Sequence, residues 1–260
     1  NNYEDSYNFF KQLNNLEDNH YKYSKSYIET LVNNSKINEA YKYSKKMKMK
    51  KKNFFQSDIV IISKFIKNDN FFKADDYLSS TTKYNYTPLQ ELLSQILYSW
   101  VIVEKSKLNY NDAKDIFRMI NPKYKNIKKI NDVFLNCYFD TSKVNEKFIS
   151  LTNDQTTDFS RYTFFHANYL LKKGLFKKAN SILNLKLKGA PRNLLLNQLY
   201  LDINKKNKNY TKNNFDCKNI SNVIAELFYI TANALSTQSL YSKSNFYINL
   251  AKYLNKDFFS

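Results

Sequence analysis

Glycine is almost missing from this chain of 260 residues: there are two copies, and only three prolines. So few turn formers argue against a fold of tight β-hairpins and against glycine-rich loops that cradle phosphate. They favour helices joined by short polar turns. Two cysteines, Cys137 and Cys217, are too few and too far apart to frame a disulfide-rich fold, and they say little about redox compartment. Cys137 falls between Leu135 and Phe139 and reads as core. Histidine is equally scarce. His20 lies in a polar connection, and His166 lies among Phe164, Phe165 and Tyr169 with no cysteine or carboxylate beside it. A zinc site takes three or four ligands, so His166 reads as a packed residue, and neither metal nor cofactor is expected. No apolar run approaches the roughly 18 residues of a membrane helix. The longest, such as Ile59 to Ile62, cover a few residues, so no membrane span is expected. The chain opens on Asn1 without a signal-like start and reads as a processed chain or a piece of a longer product. The compartment stays open: cytoplasm, or cell envelope if the source is bacterial.

Arginine occurs at 118, 161 and 192 only, although the formal net charge is +18. The basic surplus is therefore lysine, in a sequence also heavy in asparagine, tyrosine, phenylalanine and isoleucine, the composition of an AT-rich genome. Selection for phosphate binding would enrich arginine, whose fork matches phosphate bidentately. The run Lys45 to Lys52 (KKMKMKKK) is the strongest local charge feature. It ends a predicted helix, where cations complement the carbonyl end of the dipole. The carboxylate pairs Glu17–Asp18 and Asp75–Asp76 point apart on a helix and read as solvated surface.

What the chain has in quantity is apolar side chains, 43% of residues, with aromatics at 17%. They recur in a fixed frame: an apolar residue, two polar ones, a small one, then an apolar residue four further on. Ile37-Asn38-Glu39-Ala40 shows its first part. Phe71-Phe72-Lys73-Ala74 with Leu78 fits, except that Phe72 takes a place that is polar elsewhere. Tyr110-Asn111-Asp112-Ala113 with Phe117 and Phe176-Lys177-Lys178-Ala179 with Leu183 follow. Weaker copies begin at Tyr3, Val144, Tyr210 and Tyr241. The small-residue position falls at Ser6, Ala40, Ala74, Ala113, Lys147, Ala179, Asn213 and Ser244, in steps of 34, 34, 39, 34, 32, 34 and 31 residues. Helical spacing precedes the third frame at Leu89, Leu92, Leu93, Ile96, Leu97, Trp100 and Val101, with Pro88 suited to a first turn.

A period near 34 residues and this pattern resemble the tetratricopeptide repeat family, a helix–turn–helix unit. The match is good over 161–191: Ala167 takes the small place, Leu170 the large one, Gly174 and Phe176 the turn, and Ala179, Leu183 and Pro191 the second helix and its end. Lys186 and Thr163 depart from the family's preference. Over 225–256, Phe228, Ala232, Leu235, Tyr241, Ser244, Ile248 and Ala251 match, with Lys256 in place of proline.

The resemblance implies an all-α fold, an α-solenoid of stacked helix–turn–helix repeats forming a right-handed superhelix. Its units would be 1–20 (partial), 21–54, 55–87, 88–127, 128–159, 160–193, 194–224 and 225–260, in one array over 1–260. It implies a non-catalytic scaffold that binds a protein or peptide on the concave wall of first helices. Outward positions there would be Arg161, Phe164, Asn168, Gln198, Asp202, Tyr229 and Asn233. The lysine, asparagine and arginine pattern with which some members hold a C-terminal carboxylate is not found. The alternative is a basic repeat that binds RNA or another polyanion, with a steep loss of affinity in salt. A third reading is the repeat arm of an enzyme.

Overall fold

Local chemistry sets the helix boundaries. The computed structural model describes residues 2–13, 21–52, 54–80, 86–154, 157–205 and 215–256. His20, the pair Glu17–Asp18 and the frame at Tyr210 to Asn213 lie outside the described residues. Fourteen helices and no strand occur among the described residues. Thr87 and Gln90 close a reciprocal capping box around Pro88, which fills the first turn where its missing N–H costs nothing. Asn109 accepts from the N–H groups of Asn111 and Asp112, and Asn193 from that of Leu196.

Helices pair in sequence, and the recurring frame marks the start of each second helix. After α1 (Tyr3–Gln12) come α2 (Tyr21–Asn33) with α3 (Ile37–Met49), α4 (Phe55–Lys67) with α5 (Phe71–Ser80), and α6 (Pro88–Lys105) with α7 (Tyr110–Arg118). Then follow α8 (Lys125–Tyr138) with α9 (Val144–Thr152), α10 (Ser160–Lys172) with α11 (Phe176–Gly189), α12 (Leu194–Asn204), and α13 (Ile220–Ser236) with α14 (Tyr241–Leu254). Ala40, Ala74, Ala113 and Ala179 have no exposed surface. A side chain of one carbon lets the neighbouring helix approach, and the large residues beside it fill the gap.

One turn recurs between first and second helices. Ser35, Asp69, Lys107, Asp140, Gly174 and Ser239 all take left-handed backbone, with φ between 47° and 72°. The next residue returns its N–H to the carbonyl five positions back: Lys36 to Leu31 at 2.8 Å, Asn70 to Phe65 at 2.9 Å, Leu175 to Leu170 at 2.9 Å, Leu240 to Leu235 at 3.0 Å. Leu108 to Val103 and Thr141 to Asn136 repeat it at 3.3 and 3.1 Å. This is the Schellman ending of a helix, which normally selects glycine. Here glycine supplies one position of six.

The chain divides into two compact units, 1–108 with 220–260, and 109–219. In the first, successive helices from α1 to α6 pack on one another, and α2 also meets α4. The closing hairpin returns to them: α14 packs on α2 and α4, and α13 on α4 and α6. Polar bonds mark the seam, with Asn245 Nδ2 donating to Tyr3 Oη at 2.6 Å and Lys67 Nζ to the Leu254 carbonyl at 2.9 Å. In an end-to-end array each unit meets only its sequence neighbours. Contacts between α14 and α2 are of another kind.

The second unit runs α7 to α12 in order, with α10 also meeting α12. Cys137 on α8 is disulfide-bonded to Cys217, with the two Cα atoms 5.9 Å apart. Cys137 is buried, as its neighbours suggest, and the bond to Cys217 is added by the structure. Phe215 wedges in beside the bond, stacked on Phe165 with centroids 4.1 Å apart and 5.0 Å from Phe134. Asp75, read as solvated, is buried; it takes an ion pair from Lys105 and a bond from the Ser79 hydroxyl at 3.4 Å. No helix among the described residues is long and apolar enough to cross a membrane.

Candidate functional site

A groove of about 500 Å³ lies in the second unit between α7, the 119–124 connection, α8 and α9. Helical spacing builds its walls. Lys114, Phe117 and Arg118 stand at i, i+3 and i+4 on α7. Lys125, Lys128, Lys129, Asp132 and Leu135 repeat that spacing along α8, so they share one face. Phe117, Ile120 and Leu135 form a buried apolar floor. Lys147 closes the far side from α9. Six cations and one carboxylate thus surround an oily base.

The cations are not equivalent. Lys128 Nζ donates to the carbonyls of Arg118 and Ile120, both at 3.1 Å, and so ties off the end of α7. Lys147 pairs with Asp132 at 2.8 Å, and that bond lifts the Lys147 ammonium above its ordinary pKa. Arg118 pairs with Asp115 at 2.5 Å and Lys129 with Asp154. Lys114 lies 5.7 Å from the Tyr110 ring, and neither it nor Lys125 pairs with a carboxylate among the described residues.

A second cavity, about 250 Å³, lies beside the Cys137–Cys217 bond, with Phe148, Phe165 and Phe215 below and Lys172, Lys173 and Lys218 at its edge. Two of its three lysines are matched by carboxylates. Lys172 meets Asp216 at 3.0 Å, and Lys173 pairs with Asp140, which also accepts from Tyr169 Oη at 2.6 Å. The Lys173 ammonium and then the Tyr169 hydroxyl hold Asp140 below the usual carboxylate range.

The seven wall positions fall in both units. Arg161, Phe164, Asn168, Gln198 and Asp202 belong to the second unit, and Tyr229 and Asn233 to α13 of the first. Asn168 is 2% exposed. It turns inward, so it does not face an extended ligand. Arg161 lies over the Phe165 ring at 5.0 Å, and Gln198 Nε2 donates to Asp202 Oδ1 at 3.0 Å along one face of α12. Gln198 and Asn233 are exposed, while Phe164 and Tyr229 are half-buried.

Titratable groups elsewhere are engaged in packing. His166 stacks on Phe148, centroids 4.8 Å apart and planes 4° from parallel, with Nε2 3.0 Å from Asn145 Oδ1. Burial lowers its pKa to about 4. Asp58, 2% exposed, accepts from Tyr77 Oη at 2.7 Å and Tyr86 Oη at 2.8 Å; burial raises its carboxyl. Lys48, from the basic run, lies 3.5 Å from the Tyr77 ring centroid and near that carboxylate, and burial lowers its ammonium. No cluster of three or more histidines, cysteines or carboxylates able to hold a metal occurs among the described residues.

No family model, curated protein or solved structure matches the chain. The groove is not legible from the first helices of the best-matched repeats, because its lining spans three helices of two successive hairpins. Its signal was present as basic residues at helical spacing on two successive helices, Lys114 with Arg118, then Lys125 with Lys128 and Lys129.

Proposed function

We propose that this chain is a non-catalytic binding protein of the tetratricopeptide type, whose hairpins stack as short solenoids within each unit, and that its ligand is a segment of another protein. The observation that carries this reading is the groove of the second unit. It encloses about 500 Å³, inside the roughly 300–1,000 Å³ range typical of ligand sites. Its walls are rigid helices, and it joins an apolar floor to a charged rim, the arrangement by which peptides are anchored and oriented. The recurring hairpin and its shared turn support the family resemblance. The ligand site of this reading lies not on a wall of first helices but in a groove formed by one first helix, α8, with the second helices α7 and α9 on either side in sequence. No cofactor enters this function.

The disulfide supports an oxidising compartment, because such bonds persist in exported proteins and are rare where thiols are kept reduced. Of the two compartments left open by the sequence, it favours the envelope.

The test is selection of a displayed random-peptide library on the purified chain, followed by hydrogen exchange on the complex. Enriched peptides that slow exchange in 110–152 support the reading. A chain that enriches none and instead retains single-stranded nucleic acid, released by a small rise in salt, would sink it in favour of the polyanion alternative, which the six groove cations favour.

A further inference from the structure

Resting on that reading, we infer that the groove selects an acidic protein segment carrying apolar side chains. Electrostatics gives the first half. Of the six cations, Arg118, Lys129 and Lys147 are paired with Asp115, Asp154 and Asp132, and Lys128 is held by two carbonyls, whereas Lys114 and Lys125 have no carboxylate partner among the described residues. A segment bearing glutamates or aspartates supplies the counter-charge that this rim lacks; a basic one is repelled.

Geometry gives the second half. The two cations without a carboxylate partner stand on adjoining helices that wall the groove, Lys114 on α7 and Lys125 on α8. Between them the floor of Phe117, Ile120 and Leu135 is apolar, and the buried Asn131 that also lines the groove gives its Nδ2 to the Ile127 carbonyl at 2.8 Å, so the floor suits aliphatic or aromatic side chains.

The same details disfavour a nucleic acid in this groove. Bases are held by stacking on open aromatic faces and by arginine forks. Here the floor's one ring, Phe117, is 6% exposed, and the one arginine is paired with Asp115.

The experiment is fluorescence polarisation on the whole chain. The probe is a labelled twelve-residue peptide of alternating glutamate and leucine pairs. Comparison probes replace glutamate by glutamine, leucine by serine, or glutamate by lysine, and a twelve-nucleotide thymidine strand completes the set. Expected is saturable binding of the acidic–leucine peptide, weakened about tenfold or more by removing either its charges or its leucines. Lys114→Glu with Lys125→Glu weakens that peptide by a similar factor and gains binding to the lysine–leucine version. That gain separates a lost contact from a damaged fold. Charge reversal at Lys42 and Lys45, on α3, leaves all affinities unchanged. Equal binding of the glutamine peptide, tighter binding of the thymidine strand, or indifference to the paired reversal overturns the inference. If no acidic peptide binds but the displayed library enriches neutral ones, the acidic inference falls and peptide binding stands. Retention of thymidine alone removes both.

Discussion

A buried imidazole makes the second unit sensitive to acid. With a folded-state pKa near 4 and an ordinary value near 6.5, His166 binds its proton more readily in the unfolded chain. Stability is therefore full above about pH 6.5 and declines as pH falls toward 4, by up to about 3 kcal/mol if this group acted alone. Urea unfolding between pH 7 and 4 measures it. In His166→Phe the slope over that window flattens while Phe148 keeps a stacking partner. The cysteines predict a larger effect. Closing an 80-residue separation in the unfolded chain is worth about 4 kcal/mol on chain entropy. Cys217→Ser, or dithiothreitol on the native chain, lowers the unfolding midpoint of the second unit by that order. Neither partnership was legible in sequence. A packed role for His166 followed from its neighbours and the ligand count of a metal site. Stacking on Phe148 and pairing of Cys137 with Cys217 depend on approach across helices, which no local pattern carries.

At the scale of the element, most of the secondary structure was written in the frame. Ile37, Phe71, Tyr110, Val144, Phe176 and Tyr241 each open a helix, and the four alanines that space them are fully buried. Ala74→Leu forces three carbons into the contact of α5 with its neighbours and costs about 1–3 kcal/mol; thermal unfolding reads this. Lys147, at the same place in its frame, is half-buried and pairs with Asp132, so Lys147→Met loses an ion pair without overpacking. The turns were far less visible. A scarcity of glycine suggested one left-handed position, at Gly174, whereas Ser35, Asp69, Lys107, Asp140 and Ser239 adopt the same backbone. The Schellman bond and the packing of the paired helices hold them there. Left-handed backbone costs a side-chain-bearing residue about 1–2 kcal/mol, and glycine loses part of that gain to its freer unfolded state. Lys107→Gly is thus expected to raise stability by up to about 1 kcal/mol. Gly174→Ala, where an added methyl meets no atom within 4 Å, lowers it by about 1 kcal/mol through backbone strain alone. Paired denaturant curves test both signs.

For the whole molecule, the period of 34 told how many hairpins to expect but not which of them close on one another. A frame repeated along the chain is silent about contacts such as α14 with α2, because any hairpin with an apolar flank can cover any other. The groove escaped for a related reason: its walls come from the end of one repeat and the beginning of the next. A first unit assembled from 1–108 and 220–260 makes a direct prediction. The two pieces, expressed as separate chains, associate and unfold together in urea. The piece 1–108 by itself lacks the helix that covers α2 and α4, so it has a lower and broader transition by circular dichroism.

That interrupted layout also sets an order for synthesis. Residues 109–219 leave the ribosome as one continuous stretch holding both cysteines, so the second unit can complete its core while the chain is still growing. The first unit begins earlier and finishes later. Its opening helices wait, with the surface meant for α14 uncovered, until some 150 further residues are made, roughly 10–30 seconds at ordinary elongation rates. The opening helices of the first unit are thus completed only after the second unit has been made, and they are the ones most in need of a chaperone during that interval.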